Sequence, residues 1–139
     1  FDYIILDCPP SLSLLTINAM TAAHSLLIPV QCEFYALEGL GQLLRTVKRI
    51  KQRLNPKLKI SGILLTMFDT RTNLSHQVAE NAEKYFKHLL FKTIVPRNVK
   101  LGEAPSFGKP ILLYDPDSLG ALSYFSLAKE IINKYSRPN

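Results

Sequence analysis

The apolar positions of the chain follow two alternating patterns: short unbroken runs, and longer stretches at three-and-four spacing. Residues 3–6, 25–30, 59–66 and 91–95 are the short runs, rich in Ile, Leu and Val with little polar alternation. Runs of this kind suit strands buried on both faces of a parallel sheet. Between them, 36–54 places Leu37, Leu40, Leu44, Val47, Ile50 and Leu54 on one stripe, the pattern of an amphipathic helix. The same spacing predicts a helix over 12–23, capped by Ser11, with Leu15, Ala19 and Ala22 inward. A third is expected over 74–87, facing inward with Val78, Ala82, Tyr85 and Phe86, and a last over 118–134 with Leu122, Phe125, Ala128, Ile131 and Ile132. Residues 99–116 hold Gly102, Pro105, Gly108, Pro110 and Pro116, and read as a short helical turn followed by an extended surface loop. Residues 136–139 read as a frayed tail.

Strand alternating with helix means an α/β fold, a parallel sheet with flanking helices and right-handed crossovers. The length of 139 residues is that of one domain. A hydrophobic content of 47% with 20% charged residues excludes a disordered chain, and no apolar run approaches the ~20 residues of a membrane helix. The chain opens on a core run, with neither an initiator Met nor a signal-like segment, so a fragment is expected. Cys8 and Cys32 have no metal-type partner at Cys-x-x-Cys spacing, and no phosphate loop follows Cys8; both read as reduced thiols of a cytosolic protein. The net charge of +6 favours an acidic partner, nucleic acid first.

Asp7 ends the first apolar run, and Pro9-Pro10 stops it, because proline has no N–H for a ladder. In open α/β sheets ligands bind beyond the carboxyl ends of the strands, and a carboxylate there commonly orients Mg²⁺ beside nucleotide phosphates. The alternative is a strand-end Asp that caps a turn. The N-terminus of the helix after Ser11 adds free N–H groups for a phosphate. On the helix over 36–54, Arg45, Lys48, Arg49, Lys51 and Arg53 occupy the polar side; solvation accounts for any one of them, while the cluster offers a DNA-facing surface. His24, His76 and His88 have no carboxylate or Cys at ligand spacing and read as surface or packing residues; Glu38 and Glu103 read equally well as contacts to a dimer partner or nucleotide and as solvated residues.

Four stretches, FDYIILDCPPSL, IPVQCEFYALEGL, ILLTMFDTRTNLS and VPRNVKLGEAPSFGKPILLYDPDSLGA, resemble the ParA/Soj chromosome- and plasmid-partition ATPases. These are deviant Walker A P-loop NTPases related to MinD, and the resemblance runs from Phe1 to about Lys134. It implies that Asp7 is the catalytic Walker B carboxylate, holding Mg²⁺ through water. It makes Cys8-Pro9-Pro10-Ser11 the switch that senses the γ-phosphate. Thr66, Met67, Pro96, Arg97 and Asn98 would surround the adenine of ATP, while Arg71, Lys100 and Arg97 lie in loops used for sequence-independent DNA binding. Lys100 stands where Arg is common, keeping the charge without the bidentate fork, and Leu119 stands where a basic residue is frequent.

The family's Gly-rich Walker A loop, with its two lysines, is expected upstream of Phe1. Residues 1–139 then form a single, incomplete ParA-type ATPase domain, its C-terminal part, which should not hydrolyse ATP by itself. The resemblance implies an ATP-dependent homodimer on non-specific double-stranded DNA, reset by a ParB-like centromere-binding protein, in the cytoplasm on the nucleoid and with no membrane. A MinD-like membrane-cycling ATPase is the alternative, but it needs a C-terminal amphipathic helix, and residues 127–135 instead run into Arg137-Pro138. A receiver-like phosphoacceptor module needs an acidic pair before the phosphorylated Asp, and only Asp2 precedes Asp7.

Overall fold

A computed structural model describes residues 1–9 and 11–135. Three strands, β1 (Ser25–Gln31), β2 (Lys59–Phe68) and β3 (Leu90–Pro96), form one sheet in that order, with both pairings parallel. Helices α1 (Leu14–Ala22), α2 (Ala36–Arg53) and α3 (Asn73–Phe86) precede and connect the strands; a 3-10 turn, Lys87–Leu89, leads into β3. After β3 come α4 (Val99–Glu103), a second 3-10 turn (Ala104–Phe107), α5 (Ile111–Tyr114) and the long α6 (Leu119–Tyr135). No helix among the described residues is long and apolar enough to cross a membrane.

The central strand explains the layering. Ser61 to Leu65 are buried without a break, and successive side chains of a strand point to opposite faces, so β2 needs cover on both. On one face Ile63 and Leu65 pack with Ile28, Val30 and Cys32 of the first strand end, and with Leu40 of α2 and Val78 and Ala82 of α3. On the other, Leu64 meets Phe91 and Val95 of β3 and Leu127 of α6. Gly62 lies on that second face, where an added Cβ would sit 2.5 Å from Cε2 of Phe91; the ring has taken the space of the missing side chain. A smaller cluster of Met20, Val47, Ile50 and Leu58 seats α1 on the end of α2. There the Asn55 amide donates to the carbonyls of Met20 (3.1 Å) and Ala23 (2.9 Å), closing the exposed end of α1.

The last helix also completes the edge of the sheet. Between its pairings with Ile63 and Leu65, β3 runs from Leu90 to Ile94, four residues against two. The bulge leaves N–H groups without a ladder partner. The Glu130 carboxylate of α6 accepts from the backbone N–H of Lys92 (2.8 Å) and of Thr93 (3.1 Å), and from the Thr93 hydroxyl (2.9 Å).

Several expectations need correction. Ser13, not Ser11, holds the capping position of α1, and Tyr85 of α3 and Leu54 after α2 are exposed. Residues 3–6 form no strand: Tyr3, Ile4, Ile5 and Leu6 are exposed, Ile5 at 90%, and pair with none of the three strands. An apolar β-run becomes a strand only where a neighbour satisfies its N–H and C=O groups, and the described strands supply none. In α1 the buried residues are Thr16 and Met20, one position on from the expected stripe, and Leu15 is exposed. In α6 they are Gly120, Ala121 and Leu127, with Ile131 half-buried, whereas Leu122, Phe125, Ala128 and Ile132 face outward. Close packing selected the small residues: at Gly120 an added Cβ would come within 2.6 Å of Leu101. Finally, 99–116 is mostly short helical turns, and Gly108, at φ 61°, takes the left-handed cap that lets the second 3-10 turn end. The tail at 136–139 lies outside the described residues.

Gly62→Ala is expected to destabilise the chain by about 1–3 kcal/mol, the usual cost of overpacking a core. Gly39→Ala, in α2 with nothing within 4 Å of the new Cβ, should be neutral or stabilise by up to about 1 kcal/mol. Urea denaturation of the two variants beside the parent checks both.

Candidate functional site at the carboxyl edge of the sheet

The parallel strands end together, and their last residues are tied across the sheet. Cys32 N–H donates to the Thr66 carbonyl at 3.0 Å, and Arg97 N–H to the Phe68 carbonyl at 2.8 Å. These two bonds bring the segment after β1, Thr66–Met67 of β2, and Pro96–Arg97–Asn98 of β3 onto one edge. Met67 lies at φ 54°, a left-handed conformation that costs a non-glycine residue on the order of 1 kcal/mol. Asn98 precedes α4 in the capping position, yet its side chain makes no capping bond. Its Oδ1 is the buried side-chain polar atom without a partner among the described residues. This leaves one unpaired acceptor at the edge that also carries the half-buried Pro96 and Met67.

The charged loops around this edge are internally paired. Arg71 donates through Nε and Nη2 to the two carboxylate oxygens of Asp69, at 2.9 and 2.8 Å, and its backbone N–H adds a third bond at 3.0 Å. The Arg71 side-chain bond, first of all, holds the Asp69 carboxyl well below its usual range and raises the Arg71 guanidinium in turn. Thr72 caps α3 by accepting from Ser75 N–H at 3.4 Å, and Ser75 Oγ accepts from Asp69 N–H at 3.1 Å. His76 packs edge-on against Phe68, with Nε2 3.0 Å from the Thr70 carbonyl, a packing role.

Lys100 Nζ donates to Glu103 at 3.1 Å, and Tyr114 O–H donates to the same Oε2 at 2.9 Å. Lys100 lowers the Glu103 carboxyl first and Tyr114 second, and Glu103 raises both partners. The Phe107 ring stacks on Tyr114 at 5.0 Å, which tethers the second 3-10 turn to α5. Arg97 reaches Glu33, after β1, at 4.0 Å. Asp69, Glu33, Glu103 and Tyr114 were not singled out from the sequence as partners of these cations. The Asp-x-Arg spacing of Asp69 and Arg71 and the i, i+3 spacing of Lys100 and Glu103 are local signals; Glu33 and Tyr114 depend on tertiary proximity.

The structure therefore brings together Thr66, Met67, Pro96, Arg97 and Asn98, with Arg71 and Lys100 on the loops beside them. Asp7 and Pro9 are not part of this assembly. Asp7 is exposed in the unpaired opening segment, and its carboxylate has no hydrogen bond or ion pair among the described residues. The correction follows from the missing strand: with 3–6 unpaired, Asp7 does not stand at a strand end. Pro10 lies outside the described residues. Cys8 is exposed, its thiol 3.6 Å from the Leu6 carbonyl, whereas burial pushes the Cys32 thiol up. Thus no phosphate or metal cradle is assembled from the residues described.

A family model described as an AAA domain matches residues 1–60. The chain is 61% identical over 134 residues to the chromosome partitioning protein ParA of Myxococcus xanthus, covering 96% of this chain and 47% of that protein. It is 63% identical over 131 residues to the sporulation initiation inhibitor protein Soj of Bacillus subtilis, covering 94% of this chain and 52% of Soj. The chain spans about half the length of the curated relatives it matches. Among solved structures, cobyrinic acid a,c-diamide synthase from Mycobacterium smegmatis, with bound ADP and magnesium, superposes with a TM-score of 0.69 at 36% identity. That match covers 94% of this chain and 47% of the synthase.

Because Asp69 is lowered in the folded chain, its pair with Arg71 contributes fully above the ordinary Asp value of 3.8 and fades as pH falls below it. A carboxyl-carbon NMR titration should find Asp69 still ionised at pH 3.8, and Arg71→Ala should return it toward that value. An ordinary titration in the parent would contradict the pairing.

Proposed function

Because the chain belongs to the ParA/Soj family of chromosome-partitioning proteins, we propose that it supplies the C-terminal part of a partitioning ATPase. The observation that carries this reading is the identity to ParA and Soj along nearly all of the chain. It is supported by the parallel sheet, whose strand-end segments share the carboxyl edge where α/β folds take their ligands. The glycines are scattered through helices, β2 and turns, and none forms a lysine-bearing phosphate loop. The loop that grips the β- and γ-phosphates is then contributed by sequence outside these 139 residues, and the chain alone does not hydrolyse ATP.

In this reading the chain's own residues hold the base and position a metal. Pro96, Met67 and Thr66, with Arg97 nearby, would hold the adenine, and Asn98 Oδ1 would accept from its exocyclic amino group. Asp7 is the carboxylate for Mg²⁺, and it takes that position when 3–6 pair with strands contributed from outside the described sheet. Bound ATP with Mg²⁺ supplies the phosphoanhydride whose cleavage resets the protein. Pro9-Pro10 links Asp7 to α1 and so transmits the state of the phosphate site. The ATP-bound form is a homodimer on non-specific DNA, in the cytoplasm on the nucleoid, and a ParB-like centromere-binding protein stimulates its turnover. Arg71, Lys100 and Arg97 reach DNA phosphates by exchanging Asp69, Glu103 and Glu33 for them.

A chimera tests the proposal. Residues 1–134 replace the matching segment of the Myxococcus xanthus ParA, and Mg²⁺-dependent ATP hydrolysis is measured. The folded chimera should hydrolyse ATP, Asp7→Ala within it should reduce kcat at least 100-fold, and Asn98→Ala should chiefly raise KM. A folded chimera with no hydrolysis sinks the reading.

A further inference from the structure

The positive charge of the chain is concentrated away from the strand-end loops. From Gly39 to Phe68 the sequence carries seven basic residues and no acidic one. Of the chain's 17 basic residues, ten are therefore left for the remainder, against all 11 acidic ones. The positive excess of the whole molecule resides in this one stretch.

On α2 the cations line up. Arg45, Lys48, Arg49 and Arg53 fall at i, i+3, i+4 and i+8, with Gln52 at i+7, and all five are exposed. This stripe lies opposite Leu40, Val47 and Ile50, which the core buries. It extends about 12 Å along the helix axis at 1.5 Å per residue. Among the described residues no ion pair within 4 Å involves any of these four cations, whereas Arg71, Lys100 and Arg97 each face a carboxylate. The nearest acid on the same stripe is Glu38, about 10 Å N-terminal to Arg45.

Solvation and the helix dipole do not account for the arrangement. The dipole favours cations in the last turn, which covers Lys51 and Arg53 but not Arg45, Lys48 or Arg49 farther back. A helix with four like charges on one stripe and no i, i+4 carboxylate carries mutual repulsion, which a polyanion relieves. Duplex DNA presents one charge per about 1.7 Å of axis, so a 12 Å stripe faces several phosphates. A membrane surface is disfavoured because the apolar side of α2 is committed to the core and has nothing to insert.

We propose that the α2 face is a second, nucleotide-independent DNA-binding surface, tracking the phosphate backbone through Arg45, Lys48, Arg49 and Arg53. It rests on DNA being the partner under the proposed function, and it adds a surface that the strand-end loops do not provide. Since the stripe is assembled within one helix, it needs neither ATP nor a dimer.

The test is binding of the 139-residue chain to a fluorescent random-sequence duplex across a salt series, without nucleotide. The parent should weaken about 100-fold between 50 and 200 mM salt. Replacing Arg45, Lys48, Arg49 and Arg53 together by Gln, which keeps helix propensity, should abolish binding near 50 mM salt; circular dichroism confirms the fold. Replacing Lys48 and Arg49 alone should flatten the slope of log affinity against log salt by about 2. The Arg71→Ala, Arg97→Ala, Lys100→Ala variant should keep most of the binding. Undiminished binding by the fourfold variant overturns the assignment, as does preference for poly-glutamate over DNA, which would give the face to an acidic protein. Absence of DNA binding by the parent at low salt also overturns it. The ATPase reading stands or falls separately, on the chimera.

Discussion

Everything in this molecule depends on a strand that must be dry on both sides. β2 is buried from Ser61 to Leu65, so a layer is required above and below it, and α2 with α3 on one face and α6 on the other provide those layers. The requirement reaches down to single atoms. Gly62 has no side chain because Phe91 fills the volume, and Gly120 has none because Leu101 does. With the strands parallel and clamped in this way, their carboxyl ends fall on one edge, and the loops that follow are carried to a common place without needing stability of their own.

At that edge electrostatics divides the surface into two kinds of basic residue. The loop cations are neutralised at home: Arg71 by Asp69, Lys100 by Glu103, and Arg97 weakly by Glu33. The exposed Lys100 and Arg97 pairs are worth little individually, so they hold their segments without locking them, whereas the bidentate Arg71–Asp69 pair is the tighter one. Among the described residues, Arg45, Lys48, Arg49 and Arg53 of α2 have no such competitor within 4 Å. Two surfaces of similar nominal charge thus differ in what a polyanion must displace, a distinction that net charge alone conceals.

Much of the architecture was legible in the residues. Continuous apolar runs located β1, β2 and β3 to within two residues at either end, and the stripe from Leu37 to Ile50 located α2 almost to its last turn. What could not be read was the partner of each element. Residues 3–6 have the composition of a buried strand, but strand formation is a property of a pair, and composition describes one member. The face of α6 was misjudged for a related reason: large apolar residues suggested the seam, yet the helix packs through Gly120, Ala121 and Leu127. Three-and-four spacing cannot rank close approach above bulk. At the edge, the strand ends located Met67, Pro96 and Asn98, whereas the carboxylate that holds Arg97 and the hydroxyl that joins Glu103 were not legible, since Glu33 and Tyr114 come from other segments of the chain.

The Glu130 bridge to β3 has a consequence in time. The bulge amides at Lys92 and Thr93 are satisfied by a residue 37 to 38 positions farther along, so the edge strand is chemically unfinished until the last helix has been made and docked. During synthesis at about 5–20 residues per second, that interval lasts seconds, long compared with hairpin or helix formation. The third strand therefore waits as an open template, and the final helix acts as the step that commits the sheet to its native edge and withdraws it from pairing with other chains.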